Sequence, residues 1–141
     1  MKHKYQVLIV NEDEEILCAL KTLLEQETYT VETTRSAIDA LKKVKSDKYH
    51  IVLIDTDMSE MNGIDLLKEM KSYDALTQVI MMAGQSTMEK ILSSLEYGAN
   101  DYIPKPFGDM EHIVRSIDDS VQKLERWRQS IIQLVKQPVK D

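Results

Sequence analysis

The sequence predicts an α/β fold: a five-stranded, doubly wound parallel sheet with helices on both faces and an extended C-terminal helix. Three observations carry this. Five short apolar runs alternate with stretches of helical periodicity. The stronger runs are apolar at consecutive positions, as strands covered on both faces are. The four glycines, at 63, 84, 98 and 108, all fall at element boundaries, where tight turns are needed.

Each element follows from its residues. Residues 5–10 (YQVLIV) read as a buried strand, and residues 13–26 place Ile16, Leu17, Leu20, Leu23 and Leu24 on one helical stripe. YTVET (29–33) is a weaker strand. Residues 36–46 set Ala37, Ala40, Leu41 and Val44 on one face of a helix. IVLID (51–55) is a second strong strand, and Gly63 opens a helix to about residue 72 with Leu66, Leu67 and Met70 inward. QVIMM (78–82) is the fourth strand. A helix over 87–97 ends on Gly98, which can adopt the left-handed conformation. NDYI (100–103) is the last strand, and a helix runs from about residue 109 to near Pro138.

The 141 residues suit one domain, and 43% apolar with 30% charged content is globular. The net charge is −6, and residues 1–70 hold 14 of the 24 acids, which argues against a nucleic-acid surface there. The basic residues of the last helix (Lys123, Arg126, Arg128, Lys136) read as a solvated face, so no direct nucleic-acid contact is expected. Cys18 is the single cysteine, which excludes an intrachain disulfide and a cysteine-based zinc site. No apolar run approaches the roughly 20 residues that span a bilayer. The expectation is a soluble cytoplasmic protein with no membrane partner.

In a doubly wound sheet, function sits outside the carboxyl ends of the strands, where strand order reverses. The first strand delivers Asn11, Glu12 and Asp13; the third ends on Asp55 with Asp57 two positions on; the fifth delivers Lys105. If strands one and three are neighbours, Glu12 and Asp55 meet at the crevice with Lys105 across from them. Clustered carboxylates of this kind suit Mg²⁺, and a nearby lysine suits a phosphoryl oxygen.

Four motifs then stand in order on the expected elements: the acidic cluster after strand one, LIDTDMSEMNG, VIMMAG and GANDYIPKPF. With them the chain resembles the receiver domain of two-component response regulators over residues 5 to about 120, with a flavodoxin-like (βα)5 fold. The resemblance implies a domain over residues 1–120, with 121–141 extending the last helix. It implies that Asp55 is the phosphoacceptor in a His-Asp phosphorelay and that Lys105 holds the phosphoryl group. Glu12 and Asp55 would be side-chain ligands of Mg²⁺, with the Asp57 backbone carbonyl as a third. Tyr102 would be the aromatic that turns inward on activation, and the Lys105–Pro106 bond would be cis. A sensor histidine kinase or phosphotransfer protein and an output protein are the implied partners. The chain would be a stoichiometric phosphoacceptor, not a turnover enzyme.

Three positions depart from the family pattern. Asn11-Glu12 replaces the usual acidic pair; Asn11 can still hold a metal-bound water, and Glu12 is a methylene longer than the common aspartate. Asp13 is a reserve ligand or, more plainly, a helix N-cap. Ala83 stands where a Ser or Thr hydroxyl is usual, with Ser86 and Thr87 the nearest alternatives. A lost charge-assisted hydrogen bond is worth about 1.5–3 kcal/mol, comparable to a whole allosteric coupling of about 1–3 kcal/mol, so weakened coupling to Tyr102 is expected. Ser59 replaces a common proline, a change expected only to loosen its loop.

Other readings remain. A phosphorylation-independent scaffold keeps the fold and loses the chemistry. Asp-Thr-Asp also fits the Asp-x-Asp of aspartate-nucleophile phosphatases, although those usually need a cap and a longer chain. His3, His50 and His112 lack metal-ligand spacing and read as surface residues, and the eight methionines read as adaptable core filling. In the tail, Val114, Ile117, Val121, Leu124, Arg128, Ile131 and Val135 follow a 3-4 spacing, with Trp127 and Leu134 widening the stripe. That seam predicts a homodimer through residues 114–135, with docking to a kinase or output protein as another partner and folding back onto the domain as the plainer alternative.

Overall fold

A computed structural model describes residues 4–84, 87–104 and 110–136. In chain order the elements are β1 (Gln6–Val10), α1 (Glu14–Gln26), β2 (Thr30–Thr34), α2 (Ala37–Ser46), β3 (Ile51–Asp55), α3 (Gly63–Tyr73), β4 (Gln78–Ala83), α4 (Met88–Glu96), β5 (Asp101–Pro104) and α5 (Glu111–Lys136). These are the strands and helices the sequence predicts, with ends shifted by at most a residue or two. The strands form one parallel sheet in the order β2-β1-β3-β4-β5.

Alternation along each strand divides the core. Val7 and Ile9, Ile51 and Leu53, and Ile80 and Met82 face Leu17, Leu20 and Leu24 of α1 and Ile113 and Ile117 of α5. Leu8 and Val10, Val52 and Ile54, and Val79 and Met81 face Ala37, Ala40 and Val44 of α2 and Leu66, Leu67 and Met70 of α3. Both faces of the central strands are therefore dry, which explains their unbroken apolar runs.

Helix starts are set by local chemistry. Asp13, Ser36, Asn62 and Thr87 are N-caps whose side chains accept backbone N–H groups of the first turn. Gly98, with φ 91°, ends α4 as predicted. After α1 the same left-handed position falls to Thr28, φ 73°, which the sequence did not signal because a β-branched residue rarely adopts it.

The long helix serves two environments. Val114, Ile117 and Leu124 are buried in the chain's own core, and Val121 packs against it. The predicted dimer seam is thus corrected over residues 114–124, where the domain itself covers the apolar face. Beyond Leu124 the stripe emerges, and Trp127, Ile131, Leu134 and Val135 are exposed. Among the described residues no helix is long and apolar enough to cross a membrane.

Candidate functional site

The strand order places the carboxyl ends of β1 and β3 side by side at the reversal point. Val10 pairs with Ile54, so Asn11 and Glu12 leave β1 beside Asp55 at the end of β3. Asp55 is 5% exposed, and its Oδ1 accepts the backbone N–H of Asp57 at 2.9 Å. The chain after it is pinned on both sides: the Thr56 N–H donates to the Met82 carbonyl at 2.8 Å, and the Gly63 N–H donates to the Thr56 carbonyl at 3.2 Å. Gly63 approaches this backbone so closely that a Cβ there would overlap the Asp55 carbonyl and the Thr56 Cα. Here glycine serves close approach, a reason that its boundary position alone did not reveal.

Glu12 is the predicted site residue with the most unexpected surroundings. Its Oε2 accepts the Ser59 backbone N–H at 3.2 Å and also the Ser59 hydroxyl. These hydrogen bonds, the hydroxyl first and the amide second, with a weaker pull from Arg35, hold the Glu12 carboxyl below the usual carboxylate range. Ser59 therefore ties its loop to the loop after β1, which corrects the expectation that it only loosens the chain. The Glu12 carbonyl is held as well, accepting from Arg35 Nε at 3.0 Å.

The other polar groups also have defined partners. The Asp57 carboxylate pairs with Lys90 of α4 at 2.9 Å, a contact that no local pattern signals. Asp13 caps α1, accepting the N–H groups of Glu15 and Ile16 at 2.9 and 3.4 Å, so the plainer of its two readings holds. Asn11 is buried, and its Oδ1 accepts the Asp13 N–H at 2.8 Å. Its Nδ2 and the Thr56 Oγ1 are buried without a hydrogen-bond partner. Both groups can donate, and each is closed off from solvent in this conformation.

Among the described residues, no group of three or more His, Cys, Asp or Glu side chains is arranged to hold a metal ion. The donor set is nonetheless of the right chemical type for Mg²⁺: carboxylate oxygens of Asp55 and Glu12, the carbonyl of the loop after β3, and one remaining lone pair on Asn11 Oδ1 for a water. One Glu12 oxygen is engaged elsewhere, with Ser59.

Ala83 ends β4, fully buried and paired with Pro104. Thr87, one of the two nearest hydroxyls, caps α4, its Oγ1 accepting the Lys90 N–H at 3.1 Å. Tyr102, opposite Met81 in the sheet, is half-buried against the cluster containing Leu8, Val10 and Ile54. Lys105 and Pro106, along with Ser86 and His3, lie outside the described residues. His112 is exposed as expected. His50 is not a surface residue: it is half-buried, its Nδ1 accepts the Gln6 N–H at 3.0 Å, and its ring meets Tyr5 edge-on. Met58, Met70, Met81 and Met82 do fill the core, whereas Met88 is exposed on α4.

The family model of the response regulator receiver domain matches residues 7–118. The CpxR homolog of Haemophilus influenzae, a transcriptional regulatory protein, is 38% identical over 110 residues, covering 78% of this chain and 48% of its own. The nisin biosynthesis regulatory protein NisR of Lactococcus lactis is 30% identical over 127 residues, covering 90% of this chain and 55% of its own. The chain thus spans about half the length of the curated relatives it matches. Among solved structures, a CheY-like receiver domain protein from Methanospirillum hungatei superposes with a TM-score of 0.84 at 30% identity, covering 86% of this chain and 97% of that one. This chain belongs to the response regulator receiver domain family.

Proposed function

We propose that the chain receives a phosphoryl group on Asp55 from a phosphohistidine of a sensor kinase or phosphotransfer protein. The observation that carries this reading is the placement of Asp55: buried at the end of β3, beside the end of β1, with one oxygen held by the Asp57 N–H. The other carboxylate oxygen attacks phosphorus in line while the P–N bond breaks, and the imidazole nitrogen leaves with the electron pair and takes up a proton. Glu12, Asp55 and the Asp57 carbonyl would hold Mg²⁺, with Asn11 acting through a water; bound there, the ion supplies charge neutralisation for the equatorial oxygens. Lys105 is the proposed second neutralising charge.

The output of the modification is a change in protein contacts, transmitted past Ala83 and Tyr102. Support for a contact surface comes from α4, where Met88, Leu92 and Leu95 lie at helical spacing and are exposed. Residues 1–120 would form the receiver unit. Residues 121–141 would be an extension whose exposed stripe at Trp127, Ile131 and Leu134 pairs with the same stripe on a second copy.

Intact mass after treatment with Mg²⁺ and acetyl phosphate tests the reading. One phosphoryl group per chain is expected, absent in Asp55→Asn and absent with chelator. An unchanged mass beside a competent control receiver would leave the phosphorylation-independent scaffold. Sustained turnover of a phosphomonoester would favour the aspartate-nucleophile phosphatase.

A further inference from the structure

Two positions at which this chain departs from the receiver pattern touch each other. Glu12 replaces a shorter aspartate, Ser59 replaces a proline, and the Ser59 amide and hydroxyl both donate to Glu12 Oε2. The partners are 47 residues apart, and their contact joins the loop after β1 to the loop after β3, beside the crevice that holds Asp55. A proline at this position offers neither an N–H nor a hydroxyl. An aspartate in place of Glu12 is a methylene short of the reach. The two departures are therefore one feature.

We infer that Ser59 is a positioning residue that competes with a divalent cation for the Glu12 carboxylate, and so sets the cation affinity of the site. The inference rests on the receiver reading above. Oε2 already accepts two hydrogen bonds, so a cation can take that oxygen only by displacing them, and a cation on Oε1 would share the carboxylate's charge and orientation with both Ser59 donors. Hydrogen bonds to an ionised carboxylate are the stronger kind, so the competition is not trivial. The exchange needs only a side-chain rotation, because the Glu12 carbonyl is held by Arg35 and the next residue, Asp13, caps α1. The same contact draws the two loops together when no cation is bound, so cation binding and the spacing of these loops are linked.

Mg²⁺ titration of the unphosphorylated protein, followed by amide chemical shifts, tests this with Ser59→Thr, Ser59→Ala and Ser59→Pro. Threonine keeps both donors and should leave the dissociation constant unchanged. Alanine keeps only the amide and should tighten binding a few-fold; proline removes both donors and should tighten it further than alanine does. In a Glu12→Asp background the proline should add nothing, which separates competition from a general effect on loop rigidity. Without Mg²⁺, the Ser59 amide should be protected from hydrogen exchange in the wild type and unprotected in Glu12→Asp. Equal affinities in all four proteins, or weaker binding in Ser59→Pro, overturn the competition; normal phosphorylation of Asp55 in the same samples would then leave the receiver reading intact. No saturable binding and no phosphorylation in any variant overturns both.

Discussion

Gly63 lies directly against the backbone of Asp55: a Cβ at Gly63 would come within 2.6 Å of the Thr56 Cα and closer still to the Asp55 carbonyl oxygen. The first residue of α3 is thus a spacer for the strand that ends on Asp55. Gly63→Ala is expected to lower stability by about 1–3 kcal/mol, the usual range for overpacking a close backbone contact, and to slow phosphorylation by displacing Asp55. Denaturant unfolding together with timed intact mass would read both. An unchanged midpoint and an unchanged rate would show that the helix start can yield.

Ala83 is fully buried at the end of β4 and offers no hydroxyl to the crevice. Phosphorylated and unphosphorylated forms are expected to differ little over residues 83–103, and Ala83→Thr is expected to enlarge that difference. Amide chemical shifts of the two forms, compared between wild type and variant, measure it. Large shifts already present in the wild type, with nothing added by threonine, would sink the idea.

His50 gives a pH dependence whose sign can be worked out. Burial, then the nearby charges of Lys48 and Arg128, hold its pKa below the ordinary value of 6.5, and the lone pair on Nδ1 accepts the Gln6 N–H. The folded state therefore prefers the neutral ring, while the unfolded chain binds the proton more readily. This contribution to stability is complete above about pH 6.5 and is lost as the pH falls toward the lowered folded-state pKa. His50→Asn keeps an acceptor without titrating, so its unfolding midpoint should fall less steeply with pH over that interval. Parallel profiles for the two proteins would contradict this.

The far end of α5 carries Trp127 at 56% and Leu134 at 70% exposure, with Ile131 between them on the same stripe. Self-association through these residues should appear as concentration-dependent sedimentation at micromolar protein. Ile131→Glu with Leu134→Glu should abolish it and leave the unfolding midpoint unchanged at protein concentrations too low for association, because neither side chain belongs to the core. Identical sedimentation of wild type and double variant would remove the homodimer.

The sequence by itself determined the order and kind of the elements, and it located Asp55. These are properties of near neighbours: apolar periods of a few residues, capping side chains next to their helices, and an acid ending an apolar run. The seam in α5 marks the limit of such patterns, since a 3-4 spacing reports an apolar face without saying what covers it. Only the folded chain decided that its own core takes Val114, Ile117 and Leu124, leaving Ile131 and Val135 outside. The same holds at the crevice. Glu12 meets Ser59 across 47 residues, and Lys90 meets Asp57 across 33. Such pairs exist because β1 and β3 are neighbours and α4 begins beside β3's loop, so strand order creates contacts that no local window of sequence contains.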